Sequence, residues 1–208
     1  HLARCWNLYF RHGADTLLFR SRKGMPMELV EAIRGRRSIR RYKDTPVPLE
    51  LVKEVLEAAT WAPSAKNGQQ WRFIVLTGGA KRRLTDLFRV ELGDFIAKHG
   101  KEASGSSTWS CGVMEEAPVL VMVYNTAERG WDSEVHSVAA ATQNMLLRAH
   151  DLGVGSLWIA DIYYALPALE EHLGKPWKLM AAVTLGYPAE EGRVPKKMRL
   201  DEVSEFLE

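Results

Sequence analysis

Residues 118–124, Pro-Val-Leu-Val-Met-Val-Tyr, carry the strongest strand signal in this sequence. Apolar runs at 73–76, 157–159 and 179–186 read as further strands. Helical spacing fills the gaps between them. Leu49, Val52, Val55, Leu56 and Ala59 repeat on one face, and Leu84, Leu87, Phe88, Leu92 and Phe95 do the same over 81–98. Pro26 opens a helix over 27–34, with Leu29, Val30 and Ile33 on one face and Gly35 as its stop. A last helix spans 166–173 and ends at Gly174. Strands and helices alternate irregularly, without a βαβ rhythm and without an internal repeat. That pattern predicts an α+β domain built on one sheet.

Two stretches stand out from this pattern. Ser133 can cap a long helix over 134–150, with Glu134 in the first turn. Its Ala139-Ala140-Ala141 run, with Val138, Met145 and Leu146, puts apolar groups on more than one face. Such a helix is central or lies at a subunit interface. Residues 100–112 are small, polar and Ser-rich, interrupted by Trp109, and are expected to form a mobile loop.

Composition narrows the function classes. With 28 basic against 26 acidic residues, net charge gives no argument for nucleic acid. Cys5 and Cys111 are far apart and lack metal-ligand spacing, so neither a disulfide framework nor a zinc site is expected and a cytoplasmic setting is the default. No apolar run reaches transmembrane length, and Leu17-Leu18-Phe19 is too short a core for a signal peptide. The chain opens on His1, as a trimmed or engineered start would. Residues 1–26 read as a basic, aromatic arm, with Trp6, Tyr9 and Phe10 available for packing, ahead of one domain over 27–208.

Three segments carry candidate chemistry. Between the 49–59 helix and the 73–76 strand lies a polar turn, Pro63-Ser64-Ala65-Lys66-Asn67-Gly68-Gln69-Gln70, bracketed by Trp61 and Trp71. Its amides both donate and accept, which suits the edge of a neutral polar ring or a polyol. A plain helix-to-strand connection fits as well. Arg36-Arg37-Ser38-Ile39-Arg40-Arg41 concentrates guanidinium forks that match phosphate oxygens in pairs. Cations after a helix C-terminus are also favourable against the macrodipole, so both readings stand. Gly153-Val154-Gly155-Ser156 follows a helix and leads into a strand, which excludes a dinucleotide-binding glycine fingerprint. Glycines there expose backbone N–H groups to a flat ligand, or Gly153 merely ends the helix. With anion and amide sites but no nucleophile triad or metal cluster, the pattern points to chemistry supplied by a bound cofactor.

Taken in order, these motifs, together with Leu185-Gly186-Tyr187-Pro188 and Lys197-Met198-Arg199, resemble the FMN-dependent nitroreductase family. The resemblance runs from Met27 onward and omits 100–112. It implies an α+β sandwich, a central and mostly antiparallel sheet flanked by helices, in an intertwined homodimer with FMN at the interface. It implies that Arg36, Arg37, Lys197 and Arg199 hold the FMN phosphate, with Ser38 on the ribityl or phosphate side. Arg40 would approach the pyrimidine edge as an electrostatic stabiliser of the anionic reduced flavin. Pro63, Ser64, Ala65, Asn67 and Gln69 would come from the partner subunit. Backbone groups at Gly155 and Ser156 would meet the N5 and O4 edge. Gln70 departs from the family's usual proline, which questions the loop's rigidity. The activity implied is ping-pong transfer from NADH or NADPH through FMN to an electron-poor small molecule such as a nitroaromatic or quinone. Reductive dehalogenation, flavin modification or a non-catalytic flavin sensor are the alternatives on the same fold.

Overall fold

The computed structural model describes residues 27–207, so the arm over 1–26 lies outside the described residues. Helices α1 (Leu29–Gly35) and α2 (Leu49–Thr60) lead into strand β1 (Trp71–Thr77). Then follow α3 (Gly78–His99), α4 (Ser107–Glu116), β2 (Val119–Asn125), α5 (Asp132–Asp151), β3 (Gly155–Ile159), α6 (Leu166–Leu173) and β4 (Lys178–Gly186). The four strands form one fully antiparallel sheet in the order β1-β2-β4-β3.

The 118–124 run lies near the middle of this sheet because all seven residues of β2 are buried. Side chains alternate across a strand, so the sequence divides itself between two cores. Leu120, Met122 and Tyr124 face Leu84, Phe88 and Leu92 of α3, Met114 of α4 and Leu169 of α6. Val119, Val121 and Val123 face Val52, Val55 and Ala59 of α2 and Val138, Met145 and Leu146 of α5. Each fully buried aliphatic or aromatic side chain contributes roughly 1.5–3 kcal/mol. Helices therefore cover the sheet on both faces, as a continuously apolar strand requires.

Three expectations change in detail. Helix α5 starts at Asp132, not behind a Ser133 cap, because the Glu134 carboxylate turns back to accept the Trp131 N–H at 3.2 Å. In α1, Ala32 is the buried residue, whereas Leu29, Val30 and Ile33 are more than half exposed. Their shared face is thus turned away from this chain's own core.

The largest correction concerns 100–112, which is ordered structure rather than an open loop. A 3-10 turn over Lys101–Ser104 leads into α4. Sequence periodicity misses it because the anchors are polar and distant. The Asp161 carboxylate accepts the Ser106 and Ser110 hydroxyls at 2.6 and 3.1 Å, and its carbonyl accepts that of Ser107 at 3.0 Å. The Lys81 ammonium caps the far end of α4, donating to the carbonyls of Met114, Glu115 and Ala117 at 3.4, 2.6 and 2.7 Å. Those carbonyls have no partner within the helix.

Candidate functional site

After α1 the chain straightens and runs along the outer edge of β3. Ser38 bridges Ser156 in parallel, and the Ile39 N–H donates to the Ser156 carbonyl at 3.0 Å. The Ile39 side chain lies over Gly155 so closely that a Cβ there would come within 3.0 Å of it. Glycine at 155 is therefore what lets the arginine segment join the sheet. Beyond Ile39, the Arg40 N–H donates to Glu190 Oε1 at 2.6 Å and the Tyr42 N–H to Glu116 Oε1 at 2.7 Å. The Tyr42 hydroxyl bonds the Ile39 carbonyl and Thr184, and burial raises its pKa well above the phenol range.

This segment brings Arg36, Arg37, Ser38, Arg40, Gly155 and Ser156 together as the sequence predicts. Their side chains do different things. Arg37 folds back, its Nη1 donating to the carbonyls of Arg34 and Arg36 at 2.6 and 2.9 Å, so the helix-capping reading holds for it. Arg36 is half-buried, and among the described residues no carboxylate pairs with it. Burial first, then repulsion from Arg37, lowers its pKa. His150 packs on Gly35, and its pKa is lowered by burial, then by Arg36 and Arg37. Asp151 and Glu31 act on His150 in the opposite direction without offsetting burial and the two arginines. Beside His150 lies a cavity of about 400 Å³ lined by Gly35, Arg37, His150, Gly153, Gly155 and Ser156. Gly153, at φ 71°, also ends α5, so the helix-stop reading is correct for that residue.

Arg40 donates from Nη1 to the Ser38 carbonyl at 3.0 Å, and its guanidinium lies 4.8 Å from the Trp109 ring centre on α4. Its Nε is buried without an acceptor. A second cavity, of about 910 Å³, opens between Arg40, Trp109 and the 101–105 turn.

The amide loop forms far from these residues. A 3-10 turn over Ala65–Asn67 rests on the first half of α5, where the Ala65 N–H donates to the Ser137 hydroxyl at 3.0 Å. Lys66, Asn67 and Gln69 all adopt positive φ, near +50°, a conformation costing roughly 1–2 kcal/mol for each side-chain-bearing residue. The loop is braced from within: the Gln69 N–H donates to the Ser64 hydroxyl at 3.1 Å, and Gln69 Nε2 to Asn67 Oδ1 at 3.3 Å. At Gln70 the side-chain oxygen is buried without a partner. Its side-chain nitrogen reaches the Ala65 carbonyl at 3.4 Å, and its backbone carbonyl accepts the Thr126 N–H and hydroxyl at 2.8 and 3.0 Å. Pro63, Asn67 and Gln69 remain exposed.

Lys197 and Arg199 lie on the exposed tail after β4, with Arg199 Nε paired to Asp201 at 2.9 Å. The same tail displays Met198, Leu200, Phe206 and Leu207 to solvent. The first residues of the tail do reach the arginine segment, where the Ala189 N–H donates to the Arg41 carbonyl at 2.9 Å and Gly192 packs on Arg37, whereas Lys197 and Arg199 make no described contact with it.

A protein-family profile, described as the Nitroreductase family, matches residues 33–187, which include the arginine segment, the amide loop and the β3 turn. The chain belongs to the nitroreductase family. This family member is 32% identical over 172 residues to a provisionally named NADH dehydrogenase/NAD(P)H nitroreductase of Methanothermobacter thermautotrophicus, covering 79% of each chain. It is 26% identical over 195 residues to the rat iodotyrosine deiodinase 1, covering 85% of this chain and 68% of that one. A provisionally named nitroreductase of Desulfovibrio desulfuricans, solved in complex with FMN, superposes with a TM-score of 0.70 at 30% identity over 88% of this chain and all of that one. Sequence reasoning about this nitroreductase-family chain missed Glu190, Trp109 and Asp161. Each acts across more than fifty residues of sequence, on Arg40 or on the helix beside it, and no local pattern signals such contacts.

Proposed function

We propose that this chain is half of a homodimeric, FMN-dependent NAD(P)H oxidoreductase that reduces electron-poor small molecules. One observation carries the shared site. The amide loop is tied to α5 at Ser137, while the β3 turn follows the other end of α5 at Leu152. At 1.5 Å per residue, the helix between them spans roughly 20 Å. A single flavin ring cannot touch both ends. A second copy running the opposite way places one chain's loop against the other chain's arginines. The exposed apolar face of α1 and the apolar tail supply surface for such a pairing.

The residues fit the group. Among the described residues Arg36 has no carboxylate partner, and Arg40 Nε lacks an acceptor, both of which an anionic, carbonyl-bearing ligand supplies. Arg36 and Arg37 would hold the phosphate, with Ser38 beside the ribityl chain; Lys197 and Arg199 would join from the tail once it is repositioned in the dimer. Gly155 and Ser156 would present backbone to the N5 and O4 edge. From the partner subunit, Pro63, Ser64, Ala65, Asn67 and Gln69 would line the ring and polyol. When bound, FMN supplies two-electron transfer between NAD(P)H and the acceptor, which use the site in turn. Arg40 places fixed positive charge where negative charge collects on reduction, an electrostatic role that moves no proton.

The test is steady-state NADH and NADPH oxidation by FMN-loaded protein, with and without a nitroaromatic or quinone. Acceptor-stimulated oxidation is expected. Its absence in flavin-loaded protein would support a sensor or carrier instead, and FMN bound tightly by a monomer would overturn the shared site. Likeness to the deiodinase supports reductive dehalogenation as a second reading, which halide release from a halophenol would reveal.

A further inference from the structure

We propose that Trp109 is a positioning residue that fixes the guanidinium of Arg40, and through it sets how strongly the site favours reduced over oxidised flavin. The inference rests on the reading that Arg40 faces the bound flavin. Two tethers hold Arg40 in the polar direction: Glu190 takes its backbone N–H, and the Ser38 carbonyl takes Nη1. Neither fixes the plane of the fork. The indole of Trp109, 4.8 Å from Cζ, does so, because a guanidinium attracted to a ring face is held against it. With only one N–H spent on Ser38 and Nε buried without an acceptor, the fork keeps unspent donor capacity.

The indole is not core filler. Trp109 is 50% exposed and borders the 910 Å³ cavity, so packing alone gives no reason for a tryptophan there. It is nevertheless held still. Its helix is pinned by Asp161 on one side and capped by Lys81 at its end. Segment 100–112, outside the motifs that carry the family resemblance, thus acts as a fixed support behind a flavin-facing cation. A ring is the necessary feature, since an aliphatic side chain of similar bulk has no negative face to offer the guanidinium.

The experiment compares the reduction potential and oxidised-FMN affinity of FMN-loaded wild type, Arg40→Ala, Trp109→Phe and Trp109→Leu. Trp109→Phe should keep the preference for reduced flavin within about threefold, and Trp109→Leu should lose about tenfold of it. Tenfold corresponds to ~30 mV for a two-electron couple. Oxidised-FMN affinity should stay within about threefold in both, which separates positioning from general damage. Arg40→Ala should lose at least as much preference as Trp109→Leu. If Arg40→Ala shifts the potential and Trp109→Leu does not, Trp109 has no such role. Equal losses for Phe and Leu would also overturn it, because the ring would then be irrelevant. An unchanged potential in Arg40→Ala locates the failure in the reading of Arg40 itself.

Discussion

The arginine segment and the amide loop are both short and irregular, yet they are held in opposite ways. Residues 36–42 are stitched to other parts of the chain: Ile39 to β3, Arg40 to Glu190, Tyr42 to Glu116 and Thr184. Residues 63–70 are braced by one another, through Ser64, Asn67, Gln69 and Gln70, with outside anchors at Ser137, Thr126, Arg72 and the Trp131 ring. The first region holds Arg36, which has no carboxylate partner among the described residues, by borrowing the rigidity of the sheet. The second stores backbone strain at three residues with positive φ and exposes amides beyond it. Strain of this kind persists where surrounding contacts over-determine it, and it is concentrated at ligand-binding sites.

Several substitutions would break or sharpen that contrast. The largest effect is expected from Arg36→Ala combined with Arg37→Ala. Removing charged hydrogen-bond donors at about 1.5–3 kcal/mol each should weaken FMN binding by at least about 100-fold, read by quenching of flavin fluorescence. The fold should survive, since neither side chain belongs to either core. Asp161→Ala comes next. It frees the Ser106 and Ser110 hydroxyls and should destabilise the domain by roughly 1–3 kcal/mol in chemical denaturation. A loss below measurement error would show that α4 is held by its apolar side alone.

In the amide loop, Gln69→Gly relieves one strained φ while loosening the unfolded chain. Stability should therefore change by less than about 1 kcal/mol although FMN affinity falls. A large stability loss would mean the loop is not self-braced. The smallest effect is a titration. Burial and the two arginines hold His150 below its ordinary pKa, so the native state binds fewer protons there than the unfolded state. Its contribution to stability is complete above pH ~6.5 and is lost as pH falls from there toward the lowered value. Arg36→Ala should move the His150 pKa upward, and so should FMN, whose phosphate offsets the cations. An unmoved His150 resonance in an NMR titration would argue that the anion is held elsewhere.

Much of this molecule is legible in the sequence where the physics is local. The alternation in β2 already divides its residues between two cores, and the spacings of α2, α3 and α6 survive into the structure almost unchanged. Helix α4 was hidden because its stability comes from Asp161 and Lys81, which lie 51 and 33 residues from their nearest partners in it. The site motifs were legible as residue types, but their division between two ends of a helix was not. Of the two readings of the arginine run, the helix-capping one applies to Arg37, while the phosphate-binding one is proposed for Arg36. The burial of the Gln70 amide and its contact with the Ala65 carbonyl are likewise visible only in the structure.

The length of α5 also bears on how defects in this protein would be inherited. If the pocket is shared between two copies as proposed, a chain damaged at Arg36 and a chain damaged at Asn67 would each be inactive alone. Paired with each other, they would form one pocket carrying both lesions and a second carrying neither. Two null alleles of this gene, if they fall at different ends of that helix, would complement.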